Sequence, residues 1–466
     1  MPPTKKGQSL KIATLISMVM RAASGVLDIV MGAVMARILS LSDLGVFFLT
    51  QQFIRLVSLV ISFGLPTAYL KVIGISSHAD DWQAVRRTLR QSLLLMLLAT
   101  IAVGLVYAAT WPFLGKALFS RELSQAAAAV LFGIVLMRAL ELVGSAFFRG
   151  VRLYSFGTFL MSVPRQMGVI LIAAVYWFND QKTDIETVLY FYCAVSVLLG
   201  VAIVALMIRY MRRRSGGDGS TAEPSFKAIG GLCFPLMLQA VLAELALRID
   251  LWVLGFFGTD TDVAIYGAAQ RLTMLLLFIM TSINLVIPPA LATAYQQGDI
   301  KNLQWMVRAT ATASFLFALP FAVLFIAFPA TIMSTVYGPV FEAGAMVLVL
   351  QTIGRFSGAA SGNRIQLLQM TGNHGLITRN SIVFMVITFV LCLALVPRFG
   401  AEGVAAGSAI AIIGRNVVLA YYCRKHVGVS TLPTFRPADL VRLFRMRRQK
   451  LPRDPDAPPP STPPNL

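Results

Sequence analysis

Apolar stretches long enough to span a bilayer recur along the chain, at roughly 12–38, 43–73, 91–112, 123–147, 157–178, 186–209, 228–256, 262–291, 304–328, 338–370, 378–397 and 402–423. About 20 consecutive apolar residues cross the hydrocarbon core as a helix, the one open-ended structure that satisfies its own backbone there. A soluble domain has no use for so many. With 57% hydrophobic and 13% charged residues over 466 positions, and a mean hydropathy of +0.74, the chain carries more apolar surface than a soluble core could enclose. The expected fold is an all-α polytopic membrane protein with about 12 transmembrane helices.

The net charge of +19 would point a soluble protein towards nucleic acid, but the cations sit in clusters between the apolar runs. Arg86, Arg87 and Arg90, then Arg149 and Arg152, then Arg209, Arg212, Arg213, Arg214 and Lys227, then Lys301, Arg379 and the basic C-terminus fall on one side. By the positive-inside rule that side is cytoplasmic, which places both termini inside and excludes nucleic acid as a partner. Lys5, Lys6 and Lys11 look like the start of a signal peptide. The span after them is too long for one and contains Arg21 and Asp28, so it reads as a retained first helix. Cys193, Cys233, Cys392 and Cys423 are scattered singly and give neither a disulfide framework nor metal-ligand spacing.

The stretch ARILSLSDLGVFFLTQQFIR, residues 36–55, reads as a tight hairpin in which one helix leaves the membrane and the next re-enters. Ser42 or Asp43 is placed to cap the re-entering helix. Arg37 is near enough to the turn to reach the headgroups, whereas Arg55 lies about twelve residues deeper, roughly 18 Å at 1.5 Å per residue. A second hairpin, GFFGTDTDVAIYGAAQRL, parallels it and carries Arg271. Between them RSGGDGSTAEPS at 214–225 has linker composition and divides the apolar segments six and six. The expected organisation is an N-terminal six-helix lobe (1–213), a cytoplasmic linker (214–226), a C-terminal six-helix lobe (227–427) and a cytoplasmic tail (428–466). Parallel repeats of this kind enclose a central cavity between two lobes. In the tail, ADLVRLFRMRRQK at 438–450 has the pattern of a basic amphipathic surface helix, and the proline-rich end after it has none.

Chemistry is sought among ionisable residues at membrane depth, since each is costly unless paired or facing water. Arg21, Gly25, Asp28 and Gly32 share one helix face; Gln351, Arg355, Gly358 and Gly362 form another; Gln270, Thr273, Thr281 and Asn284 make a stripe beside Arg271. Stripes of small residues also serve helix–helix contact, which accounts for the glycines better than for Arg21, Arg55, Arg271 and Arg355. Arg138 with Glu141 and Glu244 with Arg248 can neutralise each other along their helices. Asp250 and Glu342 are expected near the outer surface. Arg165, Arg364 and Arg415 are expected to extend towards the cytoplasmic interface. No nucleophile-plus-base, His/Cys or Gly-rich phosphate motif occurs, so neither enzymatic chemistry nor a cofactor is expected.

ARILSLSDLGVFFL at 36–49, VAIYGAAQRL at 263–272, VYGPVFEAGAMVLVLQ at 336–351, MTGNHGLITRN at 370–380 and LVPRFGAEGVAAGSAIA at 395–411 occur in an order and spacing that resemble one family. It is the polysaccharide or O-antigen flippases of the multidrug/oligosaccharidyl-lipid/polysaccharide exporter superfamily, and the resemblance covers about residues 12–427. It implies a V-shaped pair of six-helix lobes that carries an undecaprenyl-diphosphate-linked oligosaccharide across the bacterial inner membrane for exopolysaccharide or O-antigen synthesis. It also implies membrane lipids, a polysaccharide polymerase and other assembly proteins as partners. Related lipid II flippases use arginines on the first, second and eighth helices, and Arg21, Arg55 and Arg271 occupy those helices here. Their usual fourteen helices exceed the number expected in this chain.

On this reading Arg21, Arg55, Arg271 and Arg355 bind the anionic headgroup, because guanidinium forks hold phosphate oxygens and stay charged at depth. Asp28 is the candidate for ion coupling. A multidrug antiporter of the same superfamily would instead want an acidic or apolar cavity. A membrane polymerase or ligase would want a long outward loop, and none is present.

Overall fold

In the computed structural model, residues 5–78, 81–118, 124–214, 226–283 and 287–433 are described. Residues 215–225 of the Gly/Ser linker, the amphipathic 438–450 segment and the proline-rich end after it lie outside the described residues, as does Asn284. The first half holds α1 (Lys5–Ile38), α2 (Leu41–Ile61), α3 (Leu65–His78), α4 (Trp82–Leu118), α5 (Gln125–Gly150), α6 (Tyr154–Phe178) and α7 (Ile185–Arg212). The second holds α8 (Phe226–Phe257), α9 (Asp260–Thr273), α10 (Phe278–Ile283), α11 (Ile287–Gln296), α12 (Ile300–Ala327), α13 (Pro329–Tyr337), α14 (Ala345–Ala359), α15 (Arg364–Met370) and α16 (His374–Tyr422).

The protein is all-α and crosses the membrane many times. Among the described residues nine helices are long and apolar enough to do so. The apolar side chains that would meet lipid are in place: α4 exposes Leu93, Leu97, Ile101 and Leu105 along one side, each at least half exposed. The helices differ from the expected segments where the backbone breaks. The 43–73 segment is split into α2 and α3 by Phe63 and Gly64, whose φ angles are 47° and 73°. The 262–291 segment is α9, a 3-10 turn at Met274–Leu277, α10 and α11. Helix α16 folds back on itself at Gly400, φ 50°. Its two arms run antiparallel, with Gly403 against Leu395, Gly407 against Leu391 and Cys392, and Gly414 against Phe384.

Both hairpins start their re-entering helix with the same cap. The Ser40 hydroxyl accepts from the Asp43 amide at 3.1 Å and donates to the Asp43 carboxylate at 2.8 Å. Thr259 does the same with Asp262, at 3.1 and 2.7 Å. The expected cap residue, Ser42 or Asp43, is therefore displaced to Ser40, which lies one residue outside the helix with extended backbone where a side chain can reach back to the third amide. Aligning the two caps sets Gln51 against Gln270 and Gln52 against Arg271, so Arg55 falls one turn deeper than Arg271 rather than level with it.

Within the first half α1 packs on α6 and α5 on α3, α6 and α7; within the second α16 packs on α8 and α14, and α14 on α12. Helix α2 joins the halves by lying along α9 in parallel register and touching α8. Two glycines allow this approach. A Cβ on Gly45 would lie 1.9 Å from the Asp260 carbonyl oxygen, and one on Gly64 would lie 2.3 Å from the Cys233 carbonyl oxygen. Residues just beyond α16 return to the bundle: Gln304 on α12 exchanges two hydrogen bonds with the Ser430 backbone at 2.7 and 2.8 Å, and Val429 is buried.

Candidate functional site

Asp28 on α1 faces Arg55 on α2 across 3.7 Å, with both side chains partly open to a small cavity. Met31, Gln51, Ile54, Arg165, Gln166 and Tyr192 complete its wall. The i+7 and i+11 positions of the α1 stripe have distinct tasks here. Asp28 supplies the carboxylate, while Gly32 makes room for Arg271, since a Cβ at Gly32 would sit 3.0 Å from the Arg271 Cδ. The Arg21 backbone lies in α1, and its side chain is outside the described residues.

Arg271 is buried, 6% exposed, where α9 meets α2. It donates to the Gly267 carbonyl and to Gln51 Oε1, both at 3.0 Å, and its guanidinium carbon lies 3.6 Å from the Phe48 ring centroid. Among the described residues its Nε is buried with no hydrogen-bond partner. A cation that far from water is held by amide oxygens and a π face rather than by a carboxylate in contact. Nearby, Arg248 donates to Glu244 at 3.1 Å and to Gln270 at 3.3 Å, at a point where α8 departs from helical backbone (φ −136°).

Glu141 on α5 is fully buried and receives two cations, Arg138 at 2.8 Å and Arg165 at 3.5 Å. Arg165 also lies over the Tyr192 ring, 5.8 Å from its centroid. This corrects the expectation that Arg165 extends to the cytoplasmic interface: it is 8% exposed, because an acid inside the bundle competes with the headgroups for it. Arg364 is corrected likewise, since it is 3% exposed and donates to the Asn416 carbonyl. Asp250 does not meet outer water. It is buried, accepts from the Tyr266 hydroxyl at 2.5 Å, and binds the Leu251 amide at 2.8 Å. The Arg138–Glu141 and Glu244–Arg248 pairs form as expected, and Glu342 is exposed.

Arg355 is not part of the Asp28–Arg55 cavity. It is 7% exposed on α14, with a contact from Nη1 to the Met274 sulfur at 3.6 Å, and lines a separate cavity in the second half. Gln351 on the same stripe is used in packing, bonding Thr273 at 3.3 Å and the Tyr266 carbonyl at 3.4 Å. The structure thus brings Asp28, Arg55 and Arg271 together and leaves Arg355 in another cavity. Gln51, Gln166 and Tyr192 join the site although no charge at membrane depth marks them. Amides inside an apolar span were the available signal, because a buried amide needs a partner.

Among the described residues around this level, five guanidiniums, Arg55, Arg138, Arg165, Arg248 and Arg271, face three carboxylates, Asp28, Glu141 and Glu244. Glu141 and Glu244 are each in contact with an arginine, which leaves Asp28 as the acid shared electrostatically by Arg271, Arg55, Arg248 and Arg165. The arrangement has a positive excess suited to an anion.

The family described as polysaccharide biosynthesis protein matches residues 11–295. A probable low-salt glycan biosynthesis flippase, Agl15 of Haloferax volcanii, is 22% identical over 405 residues, covering 85% of this chain and 79% of that protein. Among solved structures, the lipid II flippase MurJ in an inward closed conformation superposes with a TM-score of 0.68 at 15% identity, covering 94% of each chain. An inward-facing multidrug resistance transporter of the MATE family superposes with a TM-score of 0.64 at 15% identity, covering 89% of this chain and 98% of the other.

Proposed function

The chain belongs to the polysaccharide biosynthesis protein family, and from that premise we propose that it is a flippase for an undecaprenyl-diphosphate-linked oligosaccharide repeat unit. The unit would cross the bacterial inner membrane to supply exopolysaccharide or O-antigen synthesis, passed on to a polymerase and other assembly proteins. The observation that carries this reading is the positive excess where α1, α2 and α9 meet, centred on Arg55 and Arg271. The names of the similar proteins, a glycan biosynthesis flippase and a lipid II flippase, support the same reading.

In the proposed cycle the diphosphate displaces Asp28 from Arg55 and engages the guanidinium forks bidentately. Its sugars occupy the aqueous interior and its isoprenoid chain stays in hydrocarbon. Arg21, on the α1 stripe, is assigned to the same headgroup, and Arg355 to a neighbouring position. An inside-negative potential favours outward movement of each negative charge by about 2.3 kcal/mol per 100 mV. Asp28 is the group we assign to coupling or counter-charge. A cation exporter would be opposed by this cluster, since a like charge is repelled where desolvation strengthens the field.

The test is reconstitution into liposomes with a fluorescent undecaprenyl-diphosphate oligosaccharide, reading outer-leaflet label by quenching. Protein-dependent flipping that Arg55→Ala and Arg271→Ala abolish supports the function. Transport of an amphipathic cation, with no flipping of the lipid-linked sugar, would overturn it.

A further inference from the structure

The second half contains a cavity of about 180 Å³ bordered by α8, Leu277 and Met280, α14, α15 and the two arms of α16. Three arginines line it: Arg355 from α14, Arg364 from the start of α15 and Arg415 from the second arm of α16. Arg415 lies within electrostatic reach of both Arg355 and Arg364. Among the described residues none of the three forms an ion pair. Arg364 is bonded to the Asn416 carbonyl, Arg355 touches a thioether, and the Arg415 Nε is buried without a partner. The carboxylate on the wall, Asp250, is already engaged by Tyr266 and the Leu251 amide.

Three cations around one cavity repel one another, and Arg355 and Arg364, each over nine-tenths buried, have also lost most of their hydration. An anion with several oxygens relieves both costs at once, and guanidinium forks are matched to phosphate. We propose that this cavity is a second anion site, taking a phosphate-bearing lipid headgroup and distinct from the Asp28–Arg55 site. Arg248, paired with Glu244, is within electrostatic reach of both Arg55 and Arg355 and so lies between the two sites. The role of the second site in transport rests on the proposed flippase function. Its ability to bind an anion does not.

Inorganic pyrophosphate titrated calorimetrically into purified full-length protein in phosphatidylcholine nanodiscs tests the site. The wild type should bind two equivalents. Arg355→Gln/Arg415→Gln should lose one of them, with at least a tenfold weakening, and Arg415→Lys should retain it in part. Should the double variant fold poorly, Arg415→Gln alone supplies the same reading, because Arg415 is only partly buried. Repeating the titration in phosphatidylglycerol nanodiscs separates the sources: suppression of this equivalent assigns the site to a resident phospholipid, and its persistence assigns it to the diphosphate of a transported lipid. Equal stoichiometry and affinity in wild type and Arg355→Gln/Arg415→Gln would overturn the proposal. Retention of both equivalents in Arg55→Gln would count against the central site alone.

Discussion

The guanidinium of Arg271 lies 3.6 Å from the centroid of the Phe48 ring, so a cation from the second half of the chain is seated on an aromatic side chain from the first. Gln51, one turn along from Phe48 on α2, accepts a hydrogen bond from the Arg271 guanidinium at 3.0 Å. The seat gives Arg271 a fixed position at the junction of α2 and α9 without a carboxylate in contact.

If that seat orients Arg271, Phe48→Leu should reduce flipping by roughly tenfold, because a desolvated cation–π contact contributes up to about 2 kcal/mol. Arg271→Lys should recover part of the activity lost in Arg271→Ala, as an ammonium keeps the charge but not the fork. Flipping rates in liposomes check both. Full activity in Phe48→Leu would show that the ring is only packing.

Asp28 competes with substrate for Arg55 under the proposed mechanism, at a separation of 3.7 Å. Asp28→Asn should therefore tighten binding of pyrophosphate and slow turnover, since the headgroup is no longer displaced on release. Because both side chains are partly exposed, thermal stability should change little. If Asp28 also couples an ion, the variant should lose any dependence of transport on a pH or sodium gradient. Weaker anion binding in Asp28→Asn would contradict the competition.

Glu141 holds Arg138 and Arg165 together inside the first half. Glu141→Gln leaves two buried cations without their acid, and removal of one partner from such a group costs about 3–5 kcal/mol. The unfolding midpoint in detergent should fall more than for any variant above. A midpoint equal to wild type would mean that water reaches the site.

Gly45 admits no Cβ at its present distance from Asp260, so Gly45→Ala should push α2 from α9 and cost about 1–3 kcal/mol. Gly25 has open space around it, and Gly25→Ala is the matched control expected to be silent. Equal behaviour of the two variants would show that α2 and α9 are not in close contact.

The membrane class was legible because apolar length is a local property, and so were the pairs Arg138–Glu141 and Glu244–Arg248, whose spacing along one helix decides the contact. The hairpin at 36–55 could be located, but its cap fell on Ser40 because the choice among neighbouring polar residues depends on backbone angles. Long-range partners were not readable. Arg165 and Arg364 look like snorkelling cations until Glu141 and the Asn416 carbonyl are brought to them by other helices. The same holds for Asp250, whose partner Tyr266 lies on the following helix. Arg55 and Arg271 looked equivalent in the two hairpins, and only the shared cap register separates them by a turn.

The close approaches at Gly45 and Gly64 bear on how fast this protein can work. A gate made of side chains opens by rotamer changes in picoseconds to nanoseconds, but these two junctions are backbone against backbone and have no rotamer to change. Either can open only if a whole helix moves, which belongs to the microsecond-to-millisecond range of collective motions. Passage through the molecule should then proceed in discrete steps set by helix displacement, with waiting times insensitive to which sugar the lipid carries.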